Sequence, residues 1–180
     1  MGEYTQNGKQ TKALEKEQFY ELIEHGKFVK HMHKVFLILL YYIGVRVSEV
    51  LELTKPQFEI SDTILFVDCP AKKNGIERTP FQLSRELPYV NLIVEYLQKR
   101  KSNREVFRMT RQTAWHVIKR VDPKKYPHFF RLNRTVKFLD DPKIPLNKIR
   151  QWMAWKRMET VNEYLGYSAR TIGELSKMLE

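Results

Sequence analysis

Several side chains in this sequence are of the types that grip or attack an anion, and their spacings carry information. Arg46 directly follows the most apolar stretch of the chain, and Glu49 stands three residues on, where a helix puts both on one face. A carboxylate there orients the guanidinium as a planar fork for an anion. The same pair also reads as a plain structural salt bridge. His128 and Arg131 repeat the i, i+3 spacing just after Pro127, at an expected helix start whose backbone carries partial positive charge. Arg134 and Lys137 continue that series, so a surface basic helix fits as well. Lys73 lies in Lys72-Lys73-Asn74-Gly75, an Asn-Gly hairpin signal, and lysines at hairpin tips are mostly just solvated. Trp155 and Tyr164 are nine residues apart across an expected helix boundary, and such aromatics usually belong to a core or an interface. Taken singly, each points to anion binding at most.

These residues must be held by elements that the apolar pattern predicts. Leu14, Phe19, Leu22 and Ile23 recur at helical spacing up to His25, and Gly26 ends that helix. A helix from about Phe28 to Ile43 is apolar on all sides in its second half, which predicts a central buried helix. Gly44 breaks it, and a short helix over Val45–Leu53 follows with Arg46 and Glu49. Three short strands are expected at Phe58–Ile60, Ile64–Cys69 and Arg78–Leu83, the last two joined by the Asn-Gly turn. Helices resume at Pro88–Lys101, Thr110–Val121 (Thr110 as N-cap), His128–Leu139, Leu146–Met153, Met158–Leu165 and Ala169–Leu179. The expected fold class is mainly α with a small antiparallel three-stranded β-sheet, an α+β domain. Residues 1–13 are polar and are expected to form a flexible N-terminal segment, with one domain over residues 14–180.

Composition sets the outer limits. The 180 residues suit one soluble domain with a real core. The longest apolar run, Val35 to Val45, is too short to span a bilayer, and Met1–Gln10 lacks the apolar segment of a signal peptide. One cysteine, Cys69, excludes an internal disulfide and a Cys-rich zinc site, which suits an intracellular protein. His31 and His33, at i, i+2, do not share a helix face, so no metal site is expected. No Gly-rich phosphate loop, GxSxG elbow or His-Glu-x-x-His motif is present. The net charge of +11 is unevenly spread. Residues 1–100 carry 14 Lys/Arg against 13 Asp/Glu, and residues 101–180 carry 18 against 8. A basic half on a folded domain favours a polyanion partner, because cations placed on phosphates release condensed counterions.

The order Arg, Lys, His-x-x-Arg, Trp, Tyr resembles the catalytic domain of the tyrosine recombinase (phage integrase) family. Gly44-Val45-Arg46-Val47-Ser48-Glu49 looks like the family's first-arginine box with its acidic companion. Lys73-Asn74-Gly75-Ile76-Glu77-Arg78-Thr79-Pro80 looks like the hairpin that delivers the lysine. Pro127-His128-Phe129-Phe130-Arg131 matches the His-x-x-Arg box, and Trp155 precedes Tyr164 by the nine residues at which the family places a His or Trp before its nucleophile. Two departures stand out. Leu132 replaces a frequent histidine, and Met153-Ala154-Trp155 replaces the usual Leu-Gly-His. Only 43 residues precede Gly44, which leaves no room for the separate N-terminal domain that many members use to clamp DNA, so a fragment or a minimal branch is expected.

The resemblance implies a tyrosine recombinase catalytic-domain-like fold and a DNA strand transferase, an integrase or recombinase of the kind that mobile elements carry. The Tyr164 hydroxyl would attack a phosphodiester to give a 3′-phosphotyrosine intermediate and a free 5′-hydroxyl, with no ATP, metal or other cofactor. Arg46 and Arg131 would hold the non-bridging oxygens, Lys73 would protonate the leaving oxygen and His128 would accept the phenol proton. Trp155 would donate its indole N–H to a phosphate oxygen, and Glu49 would support Arg46. Tyr167 is the rival nucleophile. Lys72, Arg78, Arg108, Arg111, Lys119 and Arg134 are expected to contact double-stranded DNA, with the helix from Thr110 a candidate for a major groove. Self-association into dimers or tetramers on DNA is expected, with residues 168–180 either docking on a neighbour or packing on their own domain. The competing readings are a non-catalytic DNA-binding protein on the same fold, a type IB topoisomerase and an RNA-binding helical protein.

Overall fold

The computed structural model describes residues 3–6, 9–12, 14–72, 76–101 and 103–165. Its architecture is the expected one: helices packed around a buried central helix, with one three-stranded antiparallel sheet at the side. The strands are β1 (Glu3–Gln6), β2 (Lys9–Lys12), β3 (Phe58–Ile60), β4 (Ile64–Val67) and β5 (Phe81–Ser84). The helices are α1 (Lys16–His25), α2 (His31–Ile43), α3 (Val47–Leu51), α4 (Val90–Gln98), α5 (Arg111–Val121), α6 (Pro127–Asp140), α7 (Leu146–Met153) and α8 (Glu159–Leu165).

The core is organised by α2. Every residue from Val35 to Ile43 is buried, and the helix touches α3, α4, α5 and α6. An element apolar on all sides can only sit inside, because either face turned to water would leave a row of large side chains exposed. It stops at Gly44, whose φ of 61° is left-handed and whose N–H caps the Leu40 carbonyl. A Cβ at residue 44 would also collide with Arg134 of α6, so the glycine serves both the turn and the close helix contact. Helix α6 is the second organiser. It buries Phe129, Phe130, Leu132, Val136 and Leu139, and it contacts α2, α5, α7 and α8.

The sheet runs in the order β3-β4-β5, with Val67 opposite both Phe58 and Phe81, and Leu65 opposite Leu83. Leu65, Val67, Phe81 and Leu83 share the buried face. The strands bordering the hairpin are shorter than the apolar pattern predicts. Pro70 and Pro80 lack the N–H a ladder needs, so pairing ends at Val67 and restarts at Phe81. A two-stranded antiparallel pair, β1–β2, occupies part of the N-terminal stretch that was expected to be flexible. Its polar composition hid it, although Asn7-Gly8, the dipeptide between the strands, is a hairpin signal in its own right. No helix among the described residues is long and apolar enough to cross a membrane.

Candidate active site

The site is built where three helices begin. Arg46 is not inside a helix, as its spacing suggested, but is the extended residue that precedes α3. Glu49, at the third position of that helix, reaches back to accept the Arg46 backbone N–H at 3.0 Å and the Arg46 Nη1 at 3.1 Å. This is a capping arrangement that also aims the guanidinium. Glu49 is buried, and burial alone would raise its pKa. The Arg78 cation, the N–H bonds from Arg46 and Lys72, and the charge of Arg131 together hold it below the usual carboxylate range.

Arg111 opens α5, and Pro127 and His128 open α6. With Val45–Ser48 and Arg131 they line a depression of about 200 Å³. Arg46, His128 and Arg131 therefore meet around one concavity, and Arg111 joins them. Arg131 is almost wholly buried, and its Nη2 donates to the Met153 carbonyl at 2.8 Å. Its Nη1 is buried with no hydrogen-bond partner among the described residues. Burial, then the Arg46 charge, presses the Arg131 pKa down to about 10, which still leaves it cationic at neutral pH. Partial burial and the charges of Arg131 and Arg46 likewise hold His128 below the ordinary imidazole value, so the ring is neutral and able to accept a proton near pH 7. Three guanidiniums and a neutral base around an open concavity suit a tetrahedral oxyanion that must also lose a proton nearby.

Tyr164 approaches from α8. It is half-buried, packs on Leu132 and Val136 of α6, and stacks on Trp155 with ring centroids 4.9 Å apart. It is close enough to Arg131 for the two to interact electrostatically. Trp155 itself is buried, with the Arg131 guanidinium carbon 5.8 Å from its ring centre. The turn that presents it is made by Ala154, which ends α7 in the left-handed region at φ 52° and lets the Trp155 N–H bond the Arg150 carbonyl. Lys73, Tyr167, the expected helix Ala169–Leu179 and the rest of the 168–180 segment lie outside the described residues.

The expected DNA contacts divide. Arg108 and Arg111 are exposed. Lys119 is half-buried, its Nζ bonded to the Pro123 carbonyl and lying over the Trp115 ring. Lys72 pairs with Glu52. Arg78 is buried and Arg134 half-buried, and both guanidiniums are engaged by neighbouring groups of the protein. Arg78 Nε donates to the Trp152 carbonyl at 2.9 Å, Nη1 to the Cys69 carbonyl at 2.7 Å, and Nη2 faces Glu49 Oε2 at 3.4 Å. Arg134 Nη2 donates to the Tyr41 carbonyl, and its guanidinium lies against the Tyr41 and Phe138 rings. Hydrophobic stems beside an otherwise orphaned carbonyl drew both inside. Sequence reasoning also missed Trp152. Its indole N–H donates to the Ile43 carbonyl at 2.8 Å, and its ring meets Phe81 and Phe138, tying α7 to α2, the sheet and α6. Nothing in its spacing distinguishes it from an ordinary core aromatic.

The fold has relatives among solved structures. XerH site-specific recombinase, captured with a palindromic difH substrate in a post-cleavage complex, superposes with a TM-score of 0.71 at 15% identity over 91% of this chain and 51% of that one. XerA recombinase gives 0.62 at 16% identity, over 93% and 64%. The Tn1549 transposon integrase in complex with circular intermediate DNA gives 0.67 at 15%, over 94% and 64%. The chain thus spans about half to two thirds of the length of these structures. No curated protein matches the sequence. The profile of the phage integrase family matches residues 12–170, nearly the whole of the chain. With that match, and with the fold of recombinase catalytic domains around the site, the chain belongs to the phage integrase family.

Proposed function

We propose that this chain is the catalytic domain of a site-specific DNA recombinase, which cleaves and rejoins strands through a 3′-phosphotyrosine link to Tyr164. The observation that carries the reading is the meeting of Arg46, His128 and Arg131 around one concavity, with Tyr164 beside Arg131. Arg46 and Nη1 of Arg131 bind the two non-bridging oxygens of a phosphodiester, and their hold strengthens as the five-coordinate transition state gains charge. The Tyr164 oxygen bonds to phosphorus as the bond to the 5′-oxygen breaks. His128 takes the phenol proton, and Lys73 supplies one to the departing oxygen. One phosphoester replaces another, so no ATP is consumed, and the guanidiniums supply the charge a metal would otherwise bring. Trp155 supports Tyr164 and Arg131 by stacking. Its burial favours this role over direct donation to the phosphate.

Duplex DNA is the partner in this scheme, contacted by Arg108, Arg111 and Lys119, and several protomers assemble on it through residues 168–180. Sedimentation on DNA with and without those residues tests the assembly. For the chemistry, a pool of nicked suicide duplexes of randomised sequence is incubated with the protein and resolved on denaturing gels. A covalent adduct is expected from the wild type and none from Tyr164→Phe, with EDTA making no difference. An adduct that persists in Tyr164→Phe and disappears in Tyr167→Phe would move the nucleophile. Inhibition by EDTA would contradict the metal-free scheme, and duplex binding without any adduct would favour a non-catalytic role.

A further inference from the structure

We infer that Arg78, which never reaches the substrate, is a positioning residue that holds Arg46 and Arg131 in register across the anion pocket. The inference rests on the proposed use of that pocket. The Arg78 side chain is 1% exposed, and its fork ends on three separate segments. Nη2 faces Glu49 Oε2, and the other oxygen of the same carboxylate takes Arg46 Nη1. Nε holds the carbonyl of Trp152, and the very next carbonyl, that of Met153, holds Arg131. Nη1 holds the Cys69 carbonyl, at the start of the run whose Lys72 N–H also bonds Glu49.

The geometry makes a chain of contacts from one pocket arginine to the other. It runs from Arg46 through Glu49 and Arg78 to the last carbonyls of α7, and from there to Arg131. Two buried guanidiniums share the C-terminal end of α7, where backbone carbonyls lack helical partners and cations are favoured. A lysine at residue 78 would keep the charge near Glu49 but could not serve three acceptors in three directions from one plane. Arg78 also supplies a cation beside a buried carboxylate. The charged groups that face Glu49 are Arg46 from its own helix edge, Arg78 from the strand approach and Arg131 from α6. The backbone N–H groups of Arg46 and Lys72 add to them, and the buried Cys69 thiol lies nearby. Without the Arg78 cation, Glu49 is protonated more readily and releases Arg46 at a higher pH.

The test compares wild type, Arg78→Lys and Arg78→Gln by three measurements: thermal unfolding, inorganic phosphate affinity, and single-turnover adduct formation against pH. In variants that still unfold cooperatively, phosphate affinity and the adduct rate are each expected to fall roughly 10–100-fold, the range for groups that orient primary ligands. The acid limb of the rate profile should move up in Arg78→Gln and less in Arg78→Lys. Adding Glu49→Gln to Arg78→Gln should cost little more, because both cut the same chain. The idea fails if folded variants keep wild-type phosphate affinity and pH profile, or if the two losses simply add. It also fails if every loss tracks the melting temperature and disappears on cooling, which would leave Arg78 a structural tie. Should wild type form no adduct while phosphate affinity still depends on Arg78, the recombinase reading falls and the positioning role stands.

Discussion

The rings of Trp155 and Tyr164 stack 4.9 Å apart with 27° between their planes, and the same indole lies against the Arg131 guanidinium. Tyr164→Phe keeps that stack and loses only the hydroxyl. We therefore expect the contribution of the stack to stability to be retained and no covalent adduct to form. Trp155→Ala removes the stack, worth about 0.5–1.5 kcal/mol beyond the buried area. It should lower both the melting temperature and the adduct rate. Equal stability of the two variants would show that the stack contributes nothing.

Arg46 and Arg131 face one pocket from opposite structural circumstances. The Arg46 side chain is 42% exposed, and Glu49 keeps Arg78 as a partner if Arg46 is removed. Arg46→Ala should cost within about 1 kcal/mol of stability yet about 10²–10³ in adduct rate. Arg131→Ala orphans the buried Met153 carbonyl, which adds roughly 1–3 kcal/mol of instability to a similar loss of rate. Urea unfolding alongside single-turnover assays separates the two. A large stability loss for Arg46→Ala would contradict the assignment.

His128 titrates below the ordinary value of 6.5 because of partial burial, Arg131 and Arg46. The unfolded chain therefore takes up this proton more readily than the folded one. Stability is lost as pH falls through 6.5 and levels off below the depressed folded value. His33, lowered by burial, Lys30 and Arg120, acts in the same sense. His128→Asn should make urea midpoints less sensitive between pH 7.5 and 5.5, with His33 accounting for the residual slope. A steeper dependence in the variant would reverse the sign.

Two small residues hold left-handed backbone, and opposite substitutions should have opposite effects. Ala154 adopts φ 52° with a Cβ, at a cost of roughly 1–2 kcal/mol, part of which glycine returns as unfolded-state freedom. Ala154→Gly should stabilise by about 0.5–1 kcal/mol. Gly44→Ala meets the same backbone penalty and the Arg134 side chain as well, and should destabilise by roughly 2 kcal/mol or more. Denaturant midpoints decide both.

The fold was legible because its periodicities are strong. The apolar second half of α2, the Thr110 cap (which accepts the Thr113 N–H at 3.1 Å) and α7 at Leu146–Met153 lie where the pattern puts them, although α2 begins at His31 rather than near Phe28. Arg46, His128 and Arg131 could be singled out because their order matches a family, and the structure brings them around one pocket. Arg78 and Arg134 were not legible. A lone arginine in a sequence shows its charge but not whether a carbonyl without a partner waits behind it, and in both cases one did. Arg111 was expected along the duplex, and its place in the pocket lining was not foreseen; the start of α5 converges on the starts of α3 and α6.

That convergence has a consequence for anyone dissecting the site by mutagenesis. Peptide N–H groups at a helix beginning attract oxyanions whatever side chains surround them. Those N–H groups that remain unbonded at the helix starts would keep some attraction for sulfate or phosphate after the side chains are removed. A variant lacking the guanidiniums of Arg46, Arg111 and Arg131 should still take up a weakly held ion. Such an occupant, found in an inactive protein, would report on the backbone scaffold and would say nothing about surviving chemistry.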